Sequence, residues 1–299
     1  MKLLITGAWR ATDKQLHEIE RLGHDVVLMQ NETDALPCNY GEVEGVICNG
    51  LFLSHPMERF TGLRYVQLTS AGFDRVPMDY AAAQGIVVHN ARGVYSIPMA
   101  EFALSGVLQL YKQSRFFEGK QKSCTWEKHR GLLELYEKNV CIVGCGNVGT
   151  ECAKRFQAFG CNVIGVDIVV RDDVAYASMH PLSELNDCLA QADVVVLTLP
   201  QSNETRRMMD GARFAAMKTG SVFVNIARGA IVDEQALLAA LEEKLLGAVL
   251  DVFEEEPLPK SNPLWQKENV VITPHNSFVG DGNGARLFQV IMKNLGMKK

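Results

Sequence analysis

Short apolar runs, most of them rich in valine and isoleucine, alternate along the chain with stretches whose apolar residues recur at helical spacing. In the first third, runs at 2–6, 25–29, 45–48, 64–68 and 86–89 predict strands, and 12–22 and 74–84 predict helices. A long helix is predicted over 98–118. Pro98 suits a first turn, and Phe102, Leu104, Val107, Leu108 and Tyr111 recur near 3.6-residue spacing. The polar stretch 120–130 has no period and reads as a solvated connection, an exposed arm or an oligomer contact. From Asn139 six further runs follow, at 140–143, 162–166, 194–199, 221–225, 248–252 and 270–273, as buried parallel strands should read. Helical or turn segments at 147–159, 182–190, 214–217 and 234–243 separate most of them. Strands with crossovers on this scale predict an α/β fold of two doubly wound parallel-sheet domains.

Length and charge narrow the function. At roughly 150 residues per domain, 299 residues suit two domains. The chain is 47% apolar and 22% charged, with a net charge of -5 and no long basic run, which argues against nucleic acid and acidic membrane surfaces as partners. No apolar stretch approaches the roughly 20 residues of a membrane span. The opening Met1-Lys2-Leu3-Leu4-Ile5 is too short for a signal peptide, and Arg10 follows quickly, so it reads as a strand. The eight cysteines include no C-x-x-C pair and have no accompanying histidine pair, so no metal site is expected. Buried reduced thiols in a cytoplasmic protein are the simpler reading.

The sharpest motif follows the run at 140–143. Gly144-Cys145-Gly146-Asn147-Val148-Gly149 is G-x-G-x-x-G, placed between a strand and a helix pattern. Gly144 permits the tight turn, Gly146 lets backbone approach a pyrophosphate, and Gly149 allows close helix–strand packing. Backbone N–H groups around Asn147 and Val148 would face the pyrophosphate. Asp167 ends the next strand, 18 residues beyond Gly149, and would accept hydrogen bonds from the adenosine ribose. A carboxylate there repels a 2′-phosphate, so NAD is favoured over NADP, with Arg171 close by.

Three later strand ends carry isolated polar groups: Asn225 to Arg228, Asp251 to Glu256, and His275. Strand ends beside the switch point are where ligands bind in open α/β sheets. Arg228 offers a planar fork for a carboxylate or carbonyl oxygen, and His275 can exchange a proton with that oxygen. A carboxylate on the other ring nitrogen would fix the tautomer. Glu256 is preferred because Pro257 follows it, with Glu254 and Glu255 as alternatives on spacing. The other six histidines have no comparable context.

These residues resemble the D-isomer-specific 2-hydroxyacid dehydrogenase family, which includes phosphoglycerate dehydrogenases and glyoxylate/hydroxypyruvate reductases. The stretch Phe214-Ala215-Ala216-Met217-Lys218-Thr219-Gly220-Ser221, continuing through Asn225-Ile226-Ala227-Arg228-Gly229-Ala230-Ile231-Val232-Asp233-Glu234, carries most of the likeness. Ser70-Ala71-Gly72-Phe73-Asp74, Gly93-Val94-Tyr95-Ser96, Leu199-Pro200 with Thr205, and Thr273-Pro274-His275 support it.

The resemblance implies Arg228 for substrate, His275 as acid/base and Glu256 as its partner. It implies backbone amides at Ala71 and Gly72 for the substrate carboxylate, with Tyr95 near the substrate. Ser96, Leu199, Pro200, Thr205, Ile226 and Ala227 would lie along NAD, and Asp251 would contact the nicotinamide amide. It also implies a Rossmann NAD-binding domain, 95–276, inserted into a flavodoxin-like substrate domain, 1–94 and 277–299, and a homodimer formed through the segment around 100–137. Formate is disfavoured, since formate dehydrogenases of the superfamily carry Gln where Glu256 stands. The chain departs from the family after His275, where Asn276-Ser277-Phe278-Val279-Gly280 replaces a small apolar residue and glycine. The expected activity is hydride transfer between nicotinamide and C2 of a D-2-hydroxy acid. A dinucleotide-sensing binding protein, like the family's corepressors, is the alternative.

Overall fold

The computed structural model describes residues 1–296, so 297–299 of the expected second substrate-domain segment lie outside the described residues. The chain divides into two compact units. Unit 1 holds residues 1–95 and the chain from 280 onward, and unit 2 holds 96–279.

Unit 1 runs β1 (Lys2–Thr6), α1 (Asp13–Arg21), β2 (Asp25–Met29), β3 (Gly45–Cys48), α2 (Leu51–Ser54), β4 (Tyr65–Leu68), α3 (Met78–Ala83) and β5 (Val87–His89). The strands form a parallel sheet ordered β2-β1-β3-β4-β5. Alternation along each strand sends Leu4, Val46 and Val66 to one face and Leu3, Ile5, Ile47 and Tyr65 to the other. Helix α1 starts where Thr12 and Gln15 form a reciprocal capping box. The helix expected over 74–84 is confined to α3, because Pro77 disfavours helical backbone in the residue before it.

Unit 2 runs α4 (Ser96–Tyr111), α5 (Ser114–Lys122), β6 (Asn139–Val143), α6 (Asn147–Ala158), β7 (Asn162–Asp167), β8 (Ser178–Pro181), α7 (Leu185–Gln191), β9 (Val194–Leu197), α8 (Gly211–Ala216), β10 (Val222–Asn225), α9 (Glu234–Glu243), β11 (Gly247–Leu250) and β12 (Val270–Ile272). The parallel sheet has the order β12-β11-β10-β9-β6-β7-β8. Val140, Ile142, Val194, Val196, Val222, Val224 and Val249 pack beneath α4 and α6, and Cys141, Val195, Phe223 and Leu250 face the opposite layer. Gly106 of α4 lets that helix approach the sheet closely, since a Cβ there would lie 2.5 Å from Val249 Cγ1. The chain returns to unit 1 as α10 (Asn283–Gly296), which buries Leu287 and Ile291 beside Leu3 and Ile5.

Two expectations are corrected here. The single helix over 98–118 is broken: Gln113 takes a left-handed conformation at φ 53, and its side chain donates to the Leu110 carbonyl, ending α4. The expected six-stranded sheet has a seventh strand, β8. Its Ser, Met, His and Pro give no apolar run, which a half-exposed edge strand tolerates.

Candidate active site

In unit 2 the glycine turn has the geometry that a dinucleotide requires. Gly144 has φ 96, and a Cβ on it would sit 2.6 Å from Leu199 N. A Cβ on Gly149 would lie 2.1 Å from the Gly144 carbonyl, so only glycine lets α6 start this close to the turn. A Cβ on Gly146 would meet nothing within 4 Å, so the space in front of the helix is open. Gly146 caps α6 with no side-chain hydrogen bond, and the N–H groups of its first turn, at Asn147 and Val148, receive no side-chain cap. These features fit a pyrophosphate.

Asp167, at the end of β7, accepts from Cys145 N at 2.6 Å and from Val169 N at 3.1 Å. Arg171 donates to the Cys145 carbonyl at 2.6 Å and pairs with Asp173 at 3.3 Å. Carboxylate and guanidinium are thus both tied to the second residue of the turn. Beyond β9, Leu199 is buried, and Thr205 closes the following turn by donating to the Pro200 carbonyl at 2.9 Å and accepting from Ser202 N at 2.7 Å. Ile226, Ala227 and Ser96 are buried.

The three polar strand ends come together. Asn225, the last residue of β10 and 1% exposed, accepts from Ala227 N and donates to the Arg228 carbonyl, both at 3.1 Å, which pins the Arg228 turn. Arg228 itself donates to the Ala227 carbonyl at 2.7 Å. A Cβ on Gly229 would fall 1.8 Å from the Phe253 carbonyl carbon, so the Arg228 turn and the loop after β11 interlock backbone to backbone.

In that loop, Glu256 Oε1 accepts from Phe253 N at 3.0 Å, and Oε2 lies 2.8 Å from His275 Nδ1. His275 Nε2 has no protein partner among the described residues. Of the three glutamates open on spacing, Glu256 reaches the imidazole. Glu254 pairs instead with Arg206 and Arg207, at 3.0 and 3.5 Å. His275 sits at φ 51, held by hydrogen bonds from its N–H to the Asp251 and Thr273 carbonyls at 2.7 and 3.1 Å. Phe278 stands edge-on to its ring, with centroids 6.1 Å apart.

Asp251, for which the resemblance implies a contact with the nicotinamide amide, has its carboxylate engaged by donors of the protein. It is 0% exposed. Its Oδ1 accepts from Thr273 Oγ1 at 2.6 Å and Asn276 N at 2.7 Å, and its Oδ2 accepts from Ser277 N at 2.9 Å. The carboxylate therefore ties together the segment that carries His275. Sequence reading assigned no role to Asn225, Thr273 or Ser277. For Asn225 a signal existed, a polar residue ending the apolar strand Val-Phe-Val-Asn.

In unit 1, the turn after β4 is defined through its carbonyls. Those of Thr69, Ser70, Ala71 and Gly72 accept from the Tyr95 hydroxyl, Ala91 N at 2.8 Å, Asn90 Nδ2 at 2.6 Å and Ser70 Oγ at 3.0 Å. Burial raises the pKa of the Tyr95 hydroxyl, which suits a donor.

A doubly wound sheet with a fitted glycine turn, and with an arginine, a histidine and a glutamate at neighbouring strand ends, defines the class of nicotinamide-dinucleotide oxidoreductases. Residues 104–277 match the profile of the D-isomer specific 2-hydroxyacid dehydrogenase, NAD binding domain. The chain is 34% identical to the (S)-sulfolactate dehydrogenase of Chromohalobacter salexigens over 80% of its length and 78% of that protein's. It is 35% identical to the D-3-phosphoglycerate dehydrogenase of Methanocaldococcus jannaschii over 73% of its length, but spans only 42% of that relative. A solved D-isomer specific 2-hydroxyacid dehydrogenase family protein from Aeromonas salmonicida superposes with a TM-score of 0.83 at 30% identity, covering 98% of this chain and 94% of that one. The chain belongs to the D-isomer specific 2-hydroxyacid dehydrogenase family, and its cofactor is NAD.

Proposed function

We propose that this chain is an NAD-dependent dehydrogenase or reductase of D-2-hydroxy acids. The observation that carries the reading is the Glu256–His275 hydrogen bond set beside the Arg228 turn. Bound nicotinamide supplies the hydride donor or acceptor. Glu256 holds Nδ1 of His275 as the protonated nitrogen, so Nε2 is the atom that gives a proton to the substrate oxygen or removes it. Arg228 binds the acid through its guanidinium fork. Asp167 selects NAD by repelling a 2′-phosphate, and the turn around Gly144, Gly146, Asn147, Val148 and Gly149 holds the pyrophosphate. In unit 1, the amides of Ala71 and Gly72 and the ring of Tyr95 serve the substrate.

NADH oxidation by the purified protein against glyoxylate, hydroxypyruvate, its 3-phosphate, pyruvate and bulkier 2-oxo acids tests this. Turnover of at least one acid, lost in His275→Ala while NADH still binds, is expected. Normal turnover in that variant removes the acid/base role. The relatives named above are dehydrogenases, which gives the dinucleotide-sensing alternative no support.

We also propose a homodimer formed through the segment around 100–137. The exposed side chains of Phe117, Trp126, Leu132, Leu133 and Tyr136 support it, with Trp126 at 99% exposure. Light scattering showing a monomer would refute it. A cytoplasmic location is proposed from the free thiols, six of which are buried. No described helix is long and apolar enough to cross a membrane.

A further inference from the structure

The carboxyl ends of β3 and β4 are neighbours in the unit 1 sheet, with Cys48 paired to Leu68, and ligands of doubly wound sheets bind at such ends. The loop after β3 is pinned by a carboxylate. Glu32 accepts from Thr6 Oγ1 and Asn49 N at 2.7 Å and from Gly50 N at 2.6 Å, so its carboxylate charge is met by three donors. Arg75, in the loop after β4, lies across this loop. A Cβ on Gly50 would sit 3.7 Å from Arg75 Cδ and 3.4 Å from Glu32 Oε2. Glu32 and Arg75 nevertheless form no ion pair among the described residues, and Arg75 is exposed. Asn49 Oδ1, at the same place, is buried with no hydrogen-bond partner. Three residues before Arg75, the Ala71–Gly72 turn has its carbonyls occupied.

We infer that Arg75 is a specificity residue: its guanidinium, stretched over Gly50, binds a second anionic group on the hydroxy acid. This inference rests on the proposed function and names its substrate class, a 2-hydroxy or 2-oxo acid with a carboxylate, phosphate or sulfonate at the end remote from C1. The planar fork of arginine suits each of these groups. The stem of Arg75 lies within van der Waals range of position 50, and Glu32, committed to its three donors, makes no ion pair that would withdraw the charge.

The test is calorimetric binding to the protein saturated with NADH, using hydroxy acids. With both ligands reduced, no turnover occurs, and the result stands whether or not the acid is a substrate. D-glycerate 3-phosphate, D-malate and 3-sulfolactate are compared with D-glycerate and D-lactate, so the three terminal anions are separated. At least one doubly anionic acid should bind more tightly than its singly charged counterpart. Arg75→Ala should weaken that acid by about 10- to 100-fold, as loss of a charged hydrogen bond does, and leave D-lactate within threefold. Arg75→Lys should recover part of the loss, and the same pattern should appear in KM with kcat unchanged. Equal affinity for the paired acids, or an unchanged ratio in Arg75→Ala, overturns the inference. Failure to turn over any 2-oxo acid, with the binding ratio intact, overturns the proposed reaction instead.

Discussion

Replacing Asp251 separates two roles for a buried carboxylate, support of the His275 segment and contact with the cofactor. Asp251→Ala strips the acceptor from Thr273 Oγ1 and from the N–H groups of Asn276 and Ser277. A buried donor left unsatisfied costs about 1–3 kcal/mol. Ser277 is 3% exposed, so its N–H bears that cost in full, whereas water reaches exposed Asn276. The sum is about 3–5 kcal/mol, a fall of roughly 10 °C in Tm for a unit of this size. Asp251→Asn keeps the shape and the acceptor toward Thr273, but turns an amide N–H against Ser277 N, for about 1–3 kcal/mol. His275 lies between the tethered residues, and a displacement of about 1 Å costs on the order of 100-fold in rate. Differential scanning fluorimetry, kcat and NADH titration by fluorescence measure the three consequences. Tm and kcat should fall in the order Ala then Asn, with NADH affinity within about threefold of the parent. A native Tm and kcat with NADH binding weakened tenfold would refute the reasoning and return Asp251 to the nicotinamide.

Three further outcomes follow from the same geometry. Gly149→Ala drives a Cβ to 2.1 Å from the Gly144 carbonyl, so NADH should bind at least tenfold more weakly by fluorescence titration while circular dichroism stays folded. Glu256→Gln removes the anionic partner of His275 and should lower kcat by 10- to 100-fold with little change in KM, measured by steady-state NADH oxidation. Burial pushes the thiols of Cys145 and Cys161 up to about 11 and of Cys152 up to about 12, so they stay protonated at pH 8 and gain thiolate only as pH rises toward those values. A disulfide reagent at pH 8 should therefore modify exposed Cys124 first and reach these three only after denaturant is added.

Most strands and the glycine turn were legible because each is a local problem. A run such as Val194-Val195-Val196-Leu197 fits the centre of a parallel sheet, Gly144 is dictated by its own φ of 96, and Gly149 by the Gly144 carbonyl five residues before it. The break at Gln113 was not legible. The apolar spacing of α4 continues into Phe116 and Phe117, while the left-handed residue that ends the helix is a glutamine rather than glycine. Strand β8 was missed because its pairing with β7 lies in its backbone, not in its polar side chains.

The site shows the same division between local and distant causes. Arg228 and His275 stand out in sequence because each is a polar residue soon after an apolar run, whereas Glu256 was one of three glutamates open on spacing. What makes them one group is distant: Gly229 admits the Phe253 backbone, and Asp251, the residue after β11, holds Thr273, Asn276 and Ser277 on either side of His275. The nicotinamide role of Asp251 came from the family resemblance and not from its place at a strand end. At 0% exposure its charge needs hydrogen-bond donors, and those it has belong to the segment that positions the imidazole. The left-handed backbone of His275 is then sustained by Asp251 twice, through the main-chain hydrogen bond to its carbonyl and through the flanking tethers to its carboxylate. Alanine at 251 keeps the first and loses the second, which is why it should loosen the histidine without unfolding the sheet.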